Sequence, residues 1–260
     1  MHRLALKCFG VGDGWPGADR NHSSFLYRFG KTHFLVDCGE PVSRAFKATG
    51  LDYNAIDRVL LSHLHFDHLG GFFMLMQGFW LEHRERDLPV HLPAEGITPI
   101  RHLLNAGCIF QELLAFQLRF EPLHAGEPIV TDRVRVTPYP TTHLAGLRAA
   151  FQKKYPQAFA AFCFLFETDG LRVAHSGDLG AVEDLEPLVR EPLDLLVCEL
   201  AHFTPESLFH YLQGRSIKRL LFIHLARPLW ENLEAIRKQA VQALPHIHVA
   251  FAHDGQEFAL

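Results

Sequence analysis

Cysteine is scarce and badly placed for covalent or metal staples: Cys8, Cys38, Cys108, Cys163 and Cys198 are odd in number and form no Cys-x-x-Cys pair. That excludes a zinc knuckle, a redox dithiol and a disulfide scaffold, and a reducing cytoplasm is the expected compartment. Positive charge is not in excess either. With 25 Lys and Arg against 29 Asp and Glu the formal charge is −4, so no overall field draws the chain to nucleic acid or an anionic membrane. Long apolar runs are missing too. The longest, residues 158–166, is about half of what a bilayer span requires, and the start MHRLALKCFG reaches a lysine before any stretch of signal-peptide length. No repeat, low-complexity tract or Gly/Ser-rich linker marks a boundary, so residues 1–260 are expected to form one domain.

What is present is an ordinary globular composition, 48% hydrophobic and 21% charged, with an excess of one residue: 18 histidines in 260. Histidine is the commonest metal ligand and the usual proton carrier near neutral pH, so its clustering matters. Apolar runs bounded by Gly, Pro or Asp predict strands at 4–9, 25–29, 33–37, 58–62, 90–92, 134–139, 160–167 and 171–175. Helices are predicted at 70–85 and 97–106. The last third alternates strand 193–199, helix 205–213, strand 218–224, helix 229–243 and strand 248–252. This alternation implies a layered α/β fold. The predicted helix over 70–85 is apolar nearly all round in its first three turns, so it is read as core or as a homodimer contact.

The decisive segment is Ser62-His63-Leu64-His65-Phe66-Asp67-His68-Leu69-Gly70-Gly71, directly after the apolar strand at 58–61. Four ligand-type side chains fall in six residues, a pattern that this composition produces by chance in roughly 0.4% of chains. Where the chain turns at a strand end, His63 and His65 can face one centre while Asp67 and His68 face a second. A binuclear site needs further donors, and three follow apolar runs directly: His143, Asp178, whose carboxylate could bridge two ions, and His224.

These residues resemble the ligand pattern of the metallo-β-lactamase fold hydrolases, His-x-His-x-Asp-His followed by His, Asp and His. Their motifs resemble the ribonuclease Z branch in particular. Its loop Gly-x-Gly-x-Gly-x-Pro-x-Lys-x-Arg-Asn, followed by serines, aligns with Gly10, Gly12, Gly14, Pro16, Ala18, Arg20, Asn21, Ser23 and Ser24; Phe34 to Gly39 and His253-Asp254-Gly255 also match. The resemblance implies a four-layer αββα sandwich holding two divalent ions. His63, His65 and His143 would hold the first, Asp67, His68 and His224 the second, with Asp178 bridging. Zinc suits a nitrogen-rich donor set, with manganese and iron as alternatives. The implied nucleophile is a hydroxide shared by the metals, with Asp67 orienting or deprotonating the water.

Three departures bear on substrate. The loop lysine is Ala18. Only 35 residues separate His143 from Asp178 (178 − 143), too few for the branch's tRNA-gripping arm, so tRNA is not the expected substrate. The branch's His-Glu-Ala-Thr motif reads Cys198-Glu199-Leu200-Ala201-His202, which makes His202, held by Glu199, the candidate replacement proton donor. Arg20, Asn21, His22 and Arg148 are candidate substrate contacts, and Asp37 a support for a ligand histidine or a plain turn residue. The expected activity is phosphodiester hydrolysis on a small-molecule or nucleotide-type ester. The alternatives are hydrolysis of a lactone, β-lactam or thioester, iron-dependent redox chemistry, and a non-catalytic, metal-stabilised binding protein.

Overall fold

A computed structural model describes residues 4–260. The chain divides into two compact units, one formed by the sequence up to Leu123 together with Asp254–Leu260, the other by His124–His253. Nothing in the composition around Leu123 and His124 marks the passage between them, which is why no boundary is legible in the sequence.

The first unit carries strands β1 (Ala5–Gly10), β2 (Ser24–Phe29), β3 (Thr32–Val36), β4 (Arg58–Leu60), β5 (Leu88–Leu92) and β6 (Leu118–Pro122). The second carries β7 (Ile129–Thr131), β8 (Val134–Pro140), β9 (Phe162–Thr168), β10 (Leu171–His175), β11 (Leu195–Leu200), β12 (Arg219–Leu225) and β13 (His248–Phe251), and β14 (Glu257–Ala259) returns to the first. Each unit has one seven-stranded sheet, in the orders β14-β1-β2-β3-β4-β5-β6 and β13-β12-β11-β10-β9-β8-β7. Both sheets begin as antiparallel hairpins and continue as parallel strands: β3 to β6 in one, β10 to β13 in the other. Parallel neighbours need crossover connections, and the helices supply several of them.

In the first unit the helices are α1 (Val42–Ala48), α2 (Phe66–Leu69), α3 (Phe72–Leu81) and α4 (Ile97–Ala106). One core joins Leu26, Leu35, Val59 and Val90 of the sheet to Val42 and Phe46 of α1, to Phe72, Leu75, Met76 and Phe79 of α3, and to Ile100 and Leu104 of α4. The spacing i, i+3, i+4, i+7 on α3 is that of a one-sided apolar stripe. Its outer face leaves Met74 and Leu81 more than half exposed, so this helix is not buried all round. Helix α3 also stops at Leu81, four residues short of the predicted end, because His83 takes a left-handed φ of 56°.

The second unit adds α5 (Ala145–Phe151), α6 (Glu186–Val189), α7 (Pro205–Leu212), α8 (Arg227–Glu231) and α9 (Leu233–Ala243). The helix predicted over 229–243 is two helices, broken at Asn232. Thr204 caps α7 by accepting from the Ser207 N–H, with Pro205 in the first turn as expected. A second core gathers Leu165, Ala174, Leu196, Cys198, Leu208, Leu212, Phe222, Ile236 and Ala240. Among the elements absent from the sequence reading, β7 and β14 lie at sheet edges and α5 buries nothing, whereas α1 and α6 are short helices that do bury apolar side chains. All five cysteines are free thiols; four are buried and Cys108 is exposed.

Candidate metal centre

The first unit holds its candidate ligands in one continuous stretch after β4. His65 takes an extended N-cap conformation ahead of α2, so the chain turns from strand to helix within the motif itself. The histidines are oriented from behind by Asp37, which is buried at a left-handed φ of 59°. Its Oδ2 accepts from His68 Nδ1 at 2.7 Å and from Ser62 Oγ at 2.9 Å, and its Oδ1 accepts from Ser62 N at 2.7 Å. Ser62 Oγ in turn lies 3.1 Å from His63 Nδ1. A carboxylate can only accept and the serine proton is spent on it, so both rings carry their proton on Nδ1 and keep the Nε2 lone pair for an ion. Of the expected roles for Asp37, the contact with His68 matches support of a candidate ligand histidine. His68 Nε2 lies 3.3 Å from Asp67 Oδ2, and the His63 ring lies 4.8 Å from that of His65 and 4.2 Å from that of His68.

In the second unit the donors come from separate strand ends. Asp178 follows β10, and its Oδ2 lies 3.4 Å from His224 Nε2, 3.7 Å from His143 Nε2 and 3.9 Å from His202 Nε2. One ligand atom from each of His143, Asp178 and His202 falls within 4.8 Å of the others. The loops are pinned together by Asp184, whose Oδ2 accepts from Thr142 N, Thr142 Oγ1 and Gly180 N, while Thr141 Oγ1 donates to the Asp178 carbonyl. Gly180 is required there, since a β-carbon would come within 2.4 Å of Thr142. His224 does not end its strand as predicted. It lies inside β12, skipped by the ladder between the Glu199–Ile223 and Leu200–Leu225 pairs, with φ at 48°. This bulge turns its ring towards Asp178, a device no sequence pattern announces.

Separations of 3.3 to 3.4 Å are long for hydrogen bonds but match the edge of a tetrahedron whose metal-to-ligand bonds are about 2.0–2.1 Å. The donor chemistry and spacing of these residues therefore fit a divalent ion, and the fit is tightest for the Asp67–His68 and Asp178–His224 pairs.

Glu199 is fully buried at the end of β11. Its Oε1 accepts from Leu179 N and His202 Nδ1, each at 2.8 Å, and its Oε2 from Ala201 N at 2.6 Å and His202 N at 3.2 Å. The carboxylate thus fixes the His202 ring, with Nε2 turned outward beside Asp178. Among the candidate substrate contacts, Arg20 pairs with Asp19 at 2.7 Å. Asn21 Nδ2 donates to the Phe9 carbonyl and His22 Nδ1 lies 2.8 Å from the Asp13 carbonyl, so these two tie their loop together. Arg148 lies exposed on α5, just past His143.

Residues 32–248 match the family described as Beta-lactamase superfamily domain. The chain belongs to that family. Within it, the chain is similar to a ribonuclease Z from Methanothermobacter thermautotrophicus, 25% identical over 95% of this chain and 94% of that protein. Its fold is similar to that of the metallo-beta-lactamase fold protein YhfI from Bacillus subtilis (TM-score 0.78, 19% identity, 98% of each chain) and to human tRNase Z, short form (TM-score 0.74, 17% identity, 98% of each chain). The α/β fold class and the ribonuclease Z-like character expected from the sequence are those observed. No helix among the described residues is long and apolar enough to cross a membrane.

Proposed function

We propose that the protein is a binuclear metal-dependent phosphodiesterase. The observation that supports this reading is Asp178 Oδ2 at 3.4 and 3.7 Å from the Nε2 atoms of His224 and His143, a donor spacing that suits a shared metal ligand better than a structural ion pair, with His202 Nε2 beside them at 3.9 Å. His63, His65 and His143 would hold one ion, Asp67, His68 and His224 the other, with Asp178 shared. Joining the two donor groups rests on the sequence resemblance and on a family match that runs through both units, which also supports treating them as one catalytic domain. The nitrogen-rich set favours zinc.

When bound, two such ions lower the pKa of a shared water and stabilise charge on the phosphoryl oxygens. The residues do the rest. Asp67 orients the attacking water. His202, protonated on Nε2 and steadied by Glu199, delivers that proton to the leaving oxygen as the P–O bond breaks and its electron pair passes to the departing alkoxide. Arg20, His22 and Arg148 are proposed to face the substrate. The ribonuclease Z relative favours a phosphodiester over a lactone or thioester, and it keeps RNA among the substrates even though only α5, β9 and β10 lie between His143 and Asp178, where the branch's tRNA-gripping arm would be inserted.

Comparing bis-p-nitrophenyl phosphate with a lactone and a thioester on one zinc-loaded preparation tests the bond type; turnover confined to the carbonyl esters would overturn it. For His202, a His202→Ala protein should lose about 10²-fold or more in kcat on diesters with alkyl leaving groups and far less on p-nitrophenyl esters, whose leaving group needs no proton. Equal losses on both would remove the donor role.

A further inference from the structure

Of the large apolar side chains among the described residues, Phe66 at 79% and Trp15 at 66% are the two most exposed, and each is joined in the chain to a residue at the Asp67 carboxylate: Phe66 to Asp67 itself and Trp15 to Gly14. Phe66 directly precedes Asp67 and opens α2. Trp15 follows Gly14, where a β-carbon would lie 3.3 Å from Asp67 Oδ2, so the loop carrying Trp15 closes onto that ligand. The loop is built to hold its place. Gly12 N donates to the Asn21 carbonyl at 2.8 Å, and Val11 N and Asn21 N donate to the two oxygens of Asp254 at 3.0 and 2.6 Å. Trp15 N itself donates to Asp13 Oδ1 at 3.3 Å. Two aromatic rings kept in water at this position carry a solvation penalty that the fold does not require.

We propose that Trp15 and Phe66 are specificity-determining residues: aromatic faces on which a planar ring of the substrate, a nucleobase or aryl group esterified to the phosphate, stacks while the phosphate occupies the candidate metal centre to which Asp67 belongs. This rests on the phosphodiesterase reading. Flat rings with a negative π face and a positive edge favour a flat partner over an alkyl chain, and stacking of this kind accepts any base.

The test compares the thymidine 5′-, n-octyl and methyl esters of p-nitrophenyl phosphate on the zinc-loaded protein and on Trp15→Ala, Phe66→Ala and Leu103→Ala, the last an exposed apolar residue of α4. In each of the first two variants the ratio of kcat/KM for the thymidine ester to that for the methyl ester should fall about tenfold, chiefly through KM, while the octyl-to-methyl ratio falls less than about threefold. Leu103→Ala should keep the wild-type ratios. Independently of turnover, thymidine 5′-monophosphate should quench the tryptophan fluorescence of the wild type and not that of Trp15→Phe. Unchanged ratios in both variants, or thymidine and octyl ratios falling together, would each overturn the proposal. If no diester is cleaved while the nucleotide still quenches Trp15, the phosphodiesterase reading fails, and the specificity role with it, leaving only a stacking contact; cleavage of all three with unchanged ratios overturns this proposal and leaves the phosphodiesterase reading intact.

Discussion

The two units solve one problem in opposite ways. The first packs four candidate ligands, His63, His65, Asp67 and His68, into six consecutive residues and steadies them with one buried carboxylate behind them, Asp37. The second draws His143, Asp178, His202 and His224 from the ends of β8, β10 and β11 and from a bulge in β12, and pins them with Asp184 and Glu199. A contiguous set gets its geometry from one turn. A dispersed set gets it from strand register, so its geometry depends on how β8, β10, β11 and β12 are paired in the sheet. The same contrast appears in the one large charged side chain that each unit buries deeply. Arg84 donates to the carbonyls of Tyr53, Ile56, Arg86 and Asp87 and packs against Phe79 and Phe116, knitting backbone together and nothing more. Glu199 is satisfied just as fully, yet one of its donors is a histidine ring at the site.

The sharpest way to break the comparison is to remove one dispersed ligand. Asp178→Asn should cost about 10³-fold or more in kcat/KM on bis-p-nitrophenyl phosphate and lower the metal content below two per chain, no less than removal of His63 from the contiguous set. A variant that keeps full metal and rate would mean that only the contiguous motif matters. Next in size, Arg84→Met leaves four carbonyls without their donor and should lower stability by about 3 kcal/mol in urea unfolding, with kcat per folded molecule unchanged. Asp37→Ala should loosen the contiguous set from behind, weakening metal affinity about 10–100-fold by competition with a chelator.

The smallest effect is on pH. Burial, with Arg58 alongside, pushes His91 down to about 4, and its Nε2 lies 2.9 Å from Arg58 Nη1. A ring held neutral in the folded state binds its proton more readily once unfolded, so its contribution is complete above the unfolded value of about 6.5 and is lost as pH falls from there towards 4. Unfolding free energy should therefore drop by about 2 kcal/mol between pH 7 and pH 5, and His91→Gln should flatten that slope.

The contiguous motif was legible because its chemistry is local: spacing alone brings four ligand types to one strand end. His143, Asp178 and His224 were legible as candidates because each follows an apolar run that reads as a strand. What sequence could not show was how they are aimed. The His224 bulge depends on pairing between β11 and β12, and the Asp184 clamp joins residues about forty positions apart in the chain. Asp37 was open between two roles, and its contact with His68 matches support of a candidate ligand histidine. An all-apolar sequence does not say which face of α3 meets the sheet, so core and subunit contact stay open from sequence and the structure places only one face in the core; α5 leaves no apolar signal because it buries nothing.

The uneven burial of the thiols has a practical consequence. Desolvation raises Cys163 to about 12 and lifts Cys8, Cys38 and Cys198 well above the ordinary thiol range, so at neutral pH none of the four offers a reactive sulfur anion. Cys108 stands exposed just past α4. A maleimide dye or spin label should therefore attach to the native protein at one address, without prior mutagenesis, and report on the first unit while leaving the ligand groups untouched.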